Sequence, residues 1–323
     1  MKNEILQKLP GVRENVLLAD YTTYKIGGHA KYFFVAKKKE DLMAALKIAK
    51  DFKMPVFILG GGSNLLISDD GFAGLVIKID IFGVDFQGEK VIVGAGSNLT
   101  KLAYLSAEKG FSGLEWSAGV PGTVGGAIYG NAQAFGVKIS DILETVEAIN
   151  CKTLKMKNFA KEQCQFSLKN SIFKKNKSLV IVSAVLKFEK LGEEQVKSKI
   201  KEFLEYRKTR HPVEFPSAGS VFVNPVRNGL PKTIADALAV RISNGVNPEK
   251  IEVIPAGYLI QQCGLAGKRI GNAQVSEKHA NFIINLGGAK AKDVLSLIKL
   301  AKKEVEKKFN IKLEPEVQFV GFK

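Results

Sequence analysis

Val56-Phe57-Ile58-Leu59-Gly60-Gly61-Gly62-Ser63-Asn64 is an apolar run that empties directly into three glycines, a serine and an asparagine. The first four residues predict a buried strand, and the glycines let backbone N–H groups turn toward an anion with no Cβ in the way. A second glycine-rich string follows downstream, Ala118-Gly119-Val120-Pro121-Gly122-Thr123-Val124-Gly125-Gly126-Ala127, with five places where main chain rather than side chain could face a ligand. Either string alone also has a reading as a tight turn with no ligand. Together they predict an extended cofactor carrying a pyrophosphate, gripped by main chain at two points.

Around these strings the chain reads as alternating strands and helices. Tyr32–Val35 predicts a strand, Glu40–Phe52 a helix with Leu42, Ala45, Leu46, Ala49 and Phe52 on one face, and Gly74–Ile79 a further strand, which makes residues 32–80 a β–α–β unit. Lys90–Gly96 predicts a strand, followed by a helix capped by Ser97 or Asn98 and ended by Gly110. Gly94-Ala95-Gly96 starts like a dinucleotide fingerprint, but Leu99 stands where the third glycine belongs, and there is no Gly-x4-Gly-Lys-Ser/Thr string. A standard Rossmann site and P-loop hydrolysis are therefore set aside. Ile142–Ile149 and Leu179–Phe188 predict sheet strands, and Leu191–Arg207 an amphipathic helix with Val196, Ile200, Phe203 and Leu204 inward; the domain boundary is placed there. Beyond it come a Pro/Gly-punctuated segment from Val226 to Pro255, a strand over Ala280–Asn285, a helix over about residues 291–309 and a terminal strand over Pro315–Val320.

The 323 residues, 46% hydrophobic, can bury a sizeable core in two domains or three. No apolar stretch is long enough to span a bilayer, and Met1–Lys8 lacks the apolar centre of a secretory signal, so a cytoplasmic protein without membrane insertion is expected. Cys151, Cys164 and Cys263 are widely spaced, and with His29, His211 and His279 they form no metal-ligand pattern, so no metal is expected. The net charge of +16 has two readings. Nucleic-acid binding is one. However, Arg13, Arg207, Arg210, Arg227, Arg241 and Arg269 are the only arginines among 48 basic residues, and the lysines are spread along the chain without interleaved aromatics. A solvated lysine-rich surface, with no nucleic-acid partner, is the expectation; its field would also steer a small polyanion into a cleft.

Six strings, in order, are similar to one family, the UDP-N-acetylenolpyruvoylglucosamine reductases of bacterial cell-wall synthesis. They are Tyr21–Gly28, Gly60–Asn64, Gly119–Ala127, Ala218–Pro225, Gln274–Ile283 and Leu313–Val317. The short passage from strand 179–188 to Ser220 resembles the family's shorter type, which lacks an inserted tyrosine loop. The resemblance implies an α+β fold: a two-part FAD-binding region of the vanillyl-alcohol-oxidase (PCMH) type over residues 1–192, with subdomains of about 1–80 and 81–192, then an α+β substrate-binding domain over 193–323 whose last strand returns Glu316 to the active site. FAD would be bound non-covalently by Gly60, Gly61, Gly62, Ser63 and Asn64 and by Gly119, Pro121, Gly122, Thr123, Gly125, Gly126 and Ala127. NADPH as co-substrate would give its hydride to flavin N5, and the enolpyruvyl ether of a UDP-amino sugar would take it at C3. The partner is thus a small UDP-sugar, and a monomer is expected.

The same resemblance assigns roles to side chains. Ser220 is the implied proton donor to C2; on the residues alone it reads as a turn serine between Gly219 and Val221. Glu316 is the implied carboxylate that hydrogen-bonds the intermediate, which calls for a protonated group with its pKa raised by burial. Read alone, Glu316 suits a buried place after Pro315 or a solvent-facing place on a strand equally. Lys169 is the implied cation for the enolate. The family string there is Phe-x-Tyr-Arg-x-Ser, whereas this chain has Phe166-Ser167-Leu168-Lys169-Asn170-Ser171. A lysine is a compact point charge where arginine offers a planar two-armed donor, and Leu168 removes a phenol. Weakened carboxylate stabilisation is expected, and loss of function is a second reading. For the UDP diphosphate, Arg207, Lys208 and Arg210, with His211, are the candidate cations, although an ordinary basic helix end explains them too. Asn224 and Gln274 are implied substrate contacts; His279 and Asn281 share a matching string without separate roles. The segment 226–254 exceeds what the family needs and reads as lid, oligomer contact or decoration. Two rivals remain: a flavin oxidase on the same scaffold with another substrate, and a non-enzymatic polyanion-binding protein.

Overall fold

The run Val56–Leu59 forms a strand, at one edge of a four-stranded sheet ordered Arg13–Leu17, His29–Ala36, Phe72–Ile79, Val56–Leu59. The last three run parallel, and the first is antiparallel to its neighbour. Parallel strands need a crossover, and the helix Lys39–Asp51 supplies it, with Leu42, Ala45, Leu46, Ile48 and Ala49 buried. Its exposed start is held by Asp41, whose carboxylate accepts from the N–H groups of Lys37 (3.0 Å) and Lys38 (3.2 Å), meeting donors that have no partner inside the helix. The structure is a computed structural model in which residues 2–230, 232–242 and 252–322 are described.

The chain forms two compact units, and they interleave in sequence. The first comprises Met1–Leu17, His29–Gly62 and Gly71–Thr209. Besides the parallel sheet it holds an antiparallel sheet ordered Met156–Ala160, Leu143–Asn150, Leu179–Lys187, Lys90–Gly94, Val84–Gln87. Val91, Val93, Val146, Ala148, Ala184 and Leu186 from this sheet share one core with Leu75, Ile77 and Leu42. Each buried Val, Leu or Ile side chain among them contributes about 1.5–3 kcal/mol. The helix Leu99–Glu108 is capped by Asn98, whose side chain accepts from the Lys101 N–H at 2.8 Å.

The second unit comprises Leu18–Gly28, Ser63–Asp70 and Arg210–Lys323. Its three-stranded antiparallel sheet is ordered Arg269–Ile270, Ala273–Val275, Ile283–Asn285. The helix Ala291–Phe309 buries Val294, Leu297, Ile298, Ala301 and Val305, the expected stripe. The terminal strand is shorter than its apolar pattern predicts: it spans Gln318–Val320 and pairs in parallel with Leu65–Ile67. Pro315 has no N–H to give a ladder, and it makes only an isolated bridge to Phe222.

The units explain the string Tyr21–Gly28. Thr23 Oγ1 donates to the Ser217 carbonyl (2.7 Å), Asn285 Nδ2 to the Tyr24 carbonyl (3.0 Å), and the Gly28 N–H to the Ser68 carbonyl (2.8 Å). Short-range sequence reading has no access to such ties. The division between units also differs from the expected boundary at 192/193. The helix Glu193–Arg210 packs Val196 and Ile200 on Ala107 and Ala118, so the divide falls at Thr209/Arg210.

The segment 226–254 contains the helix Lys232–Ile242, with Ala235, Leu238 and Ala239 buried. Its ends are joined by Arg227 N–H to Glu252 O (2.8 Å) and Ile254 N–H to Pro225 O (2.9 Å). Arg227 pairs with Asp236 at 2.6 Å. Residues 231 and 243–251 of this segment lie outside the described residues. Among the described residues no helix is long and apolar enough to cross a membrane.

Candidate active site

In the first unit the two glycine strings meet. A Cβ on Gly61 would stand 2.6 Å from Gly122 Cα and 3.0 Å from its carbonyl carbon; one on Gly60 would stand 3.0 Å from Thr123 Oγ1. The close approach at Gly61 is thus backbone to backbone, and it is why that position carries no side chain. The second string is pinned from behind. Leu99 N–H donates to Gly122 O (3.1 Å), Val124 N–H to Ser97 O (2.9 Å), Gly125 N–H to Ala95 O (2.9 Å), and Gly126 N–H to Thr123 Oγ1 (3.3 Å). The N–H groups of Val124, Gly125 and Gly126 therefore serve the fold, and the string has fewer main-chain donors for a ligand than its composition promises.

The Phe166–Ser171 string is a tight turn. Ser167 and Asn170 exchange N–H to carbonyl bonds (3.1 and 3.2 Å), which puts Leu168 and Lys169 at the tip, Lys169 with φ +53°. Two side chains fasten the turn to the end of the helix Val124–Gly130. Ser171 Oγ donates to Tyr129 O (2.7 Å), and Asn131 Nδ2 to Ser167 O (3.0 Å). Lys174 Nζ holds the Lys169 carbonyl at 2.9 Å. Asn131 escaped the sequence reading, although an asparagine just past a helix is a left-handed cap signal, and its φ is +45°. Its Oδ1 is buried without a hydrogen-bond partner.

In the second unit Ser220 and Glu316 come together through their neighbour Val221. The Glu316 N–H donates to Val221 O at 2.8 Å, and Ser220 bridges to Phe282. Both residues are half-buried. Asn281 organises this place: its Oδ1 accepts from Phe222 N–H (3.0 Å), its Nδ2 donates to Phe222 O (2.9 Å), and its carbonyl accepts from Val221 N–H (2.8 Å). Asn281 is buried, so Asn281→Ala would strip two inaccessible backbone groups of their partners, at about 1–3 kcal/mol each. A fall in the urea midpoint of that order is the expected result.

His279 and His211 pack beside the same bridge, each about a ring's width from Phe282 (5.0 and 5.1 Å between centroids). Burial pushes the His279 imidazole below its ordinary range, and its Nδ1 accepts from the Asn281 N–H (3.2 Å). Asn64, from the first glycine string, lies in this unit and donates through Nδ2 to the Glu316 carbonyl (3.2 Å).

The remaining candidates fall differently. Asn224 Oδ1 accepts from the Ala256 N–H (2.9 Å), at the start of the helix Ala256–Gln262, and Gln274 Nε2 donates to Gly267 O (3.0 Å). Lys208 and Arg210 are exposed at the end of the helix Glu193–Arg210. Arg207 does not stand with them; it is buried against Trp116 and Phe135. Among the described residues no group of three or more His, Cys, Asp or Glu is placed to hold a metal.

Residues 30–153 match the model of the FAD binding domain family. The fold is accordingly an α+β architecture with a flavin-binding domain followed by a further α+β domain, and the protein is an FAD-dependent oxidoreductase. The glycine approach at Gly61 and Gly122, where a Cβ would fill the cradle, fits such a cofactor. Residues 211–320 match the family model described as UDP-N-acetylenolpyruvoylglucosamine reductase, C-terminal domain. The protein of that name from Caldicellulosiruptor bescii is 40% identical over 94% of this chain and 89% of its own length. That from Bacillus subtilis is 36% identical over 96% of this chain and 94% of its own. The crystal structure of UDP-N-acetylenolpyruvylglucosamine reductase from Thermus caldophilus superposes with a TM-score of 0.75, at 32% identity, over 96% of this chain and 99% of that one. The chain belongs to the UDP-N-acetylenolpyruvoylglucosamine reductase family.

Proposed function

We propose that the protein uses NADPH to reduce UDP-N-acetylglucosamine enolpyruvate to UDP-N-acetylmuramate, a step in peptidoglycan precursor synthesis. The observation that carries this reading is the joining of Ser220 and Glu316 through Val221 O, in the unit that matches the reductase C-terminal family. Residues of the glycine strings would hold FAD, and the bound flavin would supply the two-electron hydride chemistry between NADPH and C3 of the vinyl ether. What the chain must supply is charge control at C2. Hydride addition to C3 leaves negative charge on C2 and its carboxylate, and a proton must then reach C2.

Ser220 is assigned that proton. A serine hydroxyl is a weak acid, so it acts only when held against C2, and its main chain is fixed by the Phe282 bridge and by Val221 on Asn281. Glu316 is assigned the hydrogen bond to the enediolate, and Lys169 its positive charge. The substrate's nucleotide is assigned to the residues that follow position 192, with Lys208, Arg210, Asn224 and Gln274 as contacts. The protein acts on this small molecule as a monomer.

Lys169 stands where the family carries arginine, and a lost two-armed charged hydrogen bond is worth about 1–3 kcal/mol at the transition state. Lys169→Arg is therefore expected to raise turnover, by roughly 5- to 150-fold at most. Steady-state NADPH oxidation with saturating sugar nucleotide checks this. Unchanged or lower turnover would show that Leu168 and the fastened turn have adapted the site to lysine.

Mass spectrometry of the reaction tests the whole reading. One product heavier than the substrate by two hydrogens should form per NADPH consumed, and in heavy water one deuterium should enter at C2. NADPH consumption that depends on oxygen and not on the sugar nucleotide would instead mark a flavin oxidase.

A further inference from the structure

Asn131 ends the helix Val124–Gly130 with φ +45°. Its N–H closes the helix on the Ile128 carbonyl at 3.2 Å, a bond that any residue but proline can make. Glycine is the unstrained residue for such a left-handed place. The asparagine side chain is also only 2% exposed, and its Oδ1 has no hydrogen-bond partner, an unmet acceptor that costs stability. On both counts glycine would serve the helix end better. What the asparagine side chain supplies is the bond from Nδ2 to the Ser167 carbonyl at 3.0 Å.

Ser167 opens the turn that carries Lys169. It faces Asn170 across the turn, and Lys169 between them has φ +53°, an uncommon conformation for a lysine. Three side-chain bonds hold this turn: Asn131 Nδ2 to Ser167 O, Ser171 Oγ to Tyr129 O (2.7 Å) and Lys174 Nζ to Lys169 O (2.9 Å). The first two run to the C-terminal end of the helix Val124–Gly130. The other end of that helix belongs to the second glycine string, where Gly125 N–H is tied to Ala95 O at 2.9 Å. Seven helical residues span about 10 Å. One short, fastened element therefore joins the string assigned to FAD to the turn that carries the cation, and Asn131 is the joint at its far end.

We propose that Asn131 is a positioning residue for reduction of the sugar nucleotide: its Nδ2 fixes the turn so that the Lys169 charge is held where the enediolate forms. A lysine ammonium is a point charge on a flexible stem, so the place of its backbone decides where that charge can reach. Asn131 touches neither substrate nor cofactor and acts through Lys169. The inference rests on the reading of Lys169 as the cation for the enediolate and adds the residue that sets it.

Asn131→Gly, Lys169→Ala and the double variant test it, by anaerobic rapid mixing of the flavin-loaded enzyme. In Asn131→Gly, flavin reduction by NADPH should keep the wild-type rate and the urea midpoint should not fall. Reoxidation by the sugar nucleotide should slow by about tenfold or more, because misplacing a reacting group by ~1 Å can cost on the order of 100-fold. In the Lys169→Ala background the same substitution should change that rate by less than about twofold, since no charge is left to position. Where Asn131→Gly does not fold, Asn131→Asp, matched in shape and without a donor when ionised, is read against the same rates. A full loss repeated in the Lys169→Ala background overturns the proposal, and so does reoxidation within about twofold of wild type. Slowing of both half-reactions, or loss of flavin, overturns it too and moves Asn131 to the cofactor site. Wild-type protein whose reduced flavin ignores the sugar nucleotide would instead overturn the reading of the reaction itself.

Discussion

Gly61→Ala is expected to yield a folded protein that purifies almost free of flavin. The new Cβ would stand 2.6 Å from Gly122 Cα, with Thr123 N at 3.2 Å behind it, and all of these are main-chain atoms. Neither side can yield easily. Gly61 follows the strand Val56–Leu59, paired in register with Phe72–Ile79, and Gly122 is tied to Leu99 N–H. Overpacking of this kind costs about 1–3 kcal/mol, here spent in parting the two strings to which the cofactor is assigned. A loss of bound FAD by roughly tenfold or more corresponds to about 1.4 kcal/mol. The flavin-to-protein absorbance ratio reads it directly, with Gly130→Ala as control, since a Cβ there meets nothing within 4 Å. Full flavin content in Gly61→Ala would contradict the assignment of the cofactor to these strings.

Ser220→Ala should split the reaction in two. Reduction of the flavin by NADPH needs no proton donor at C2 and should proceed at the wild-type rate. Reoxidation by the enolpyruvyl substrate should fall by roughly 10²- to 10⁴-fold, the usual contribution of a positioned general acid. Rapid-mixing measurements of each half-reaction separate them. The substitution removes only a hydroxyl from a residue held through main chain, so an ordinary turn serine predicts no change in either half. Equal rates for wild type and Ser220→Ala in the second half would remove Ser220 from the chemistry.

Elements set by local periodicity were legible in the sequence. Val56–Leu59, Lys39–Asp51 and Ala291–Phe309 all appear within a residue or so of their apolar patterns. The glycine strings were legible as a pair of places where main chain could face a ligand; that they meet each other at Gly61 and Gly122 was not. What stayed hidden depends on partners far away in sequence. That 18–28 and 63–70 leave the first unit for the second is decided by bonds such as Thr23 to Ser217. Pro315 shortened the last strand, and the helix Lys232–Ile242 was masked by the Pro and Gly around it. Arg207 was read as part of a basic helix end with Lys208 and Arg210. A signal was present: it lies seven residues after Ile200, on the stripe begun by Val196, where a charged residue is buried rather than solvated. The catalytic roles proposed for Ser220, Glu316 and Lys169 come from family resemblance alone, since a serine in a turn and a glutamate after a proline carry no chemistry by themselves.

The most direct measurement is anaerobic. The purified protein, its flavin bleached by one equivalent of NADPH, is mixed with UDP-N-acetylglucosamine enolpyruvate in the absence of oxygen. The account predicts prompt return of the oxidised flavin spectrum with an equal amount of UDP-N-acetylmuramate formed. A flavin that stays bleached until oxygen is admitted would contradict it.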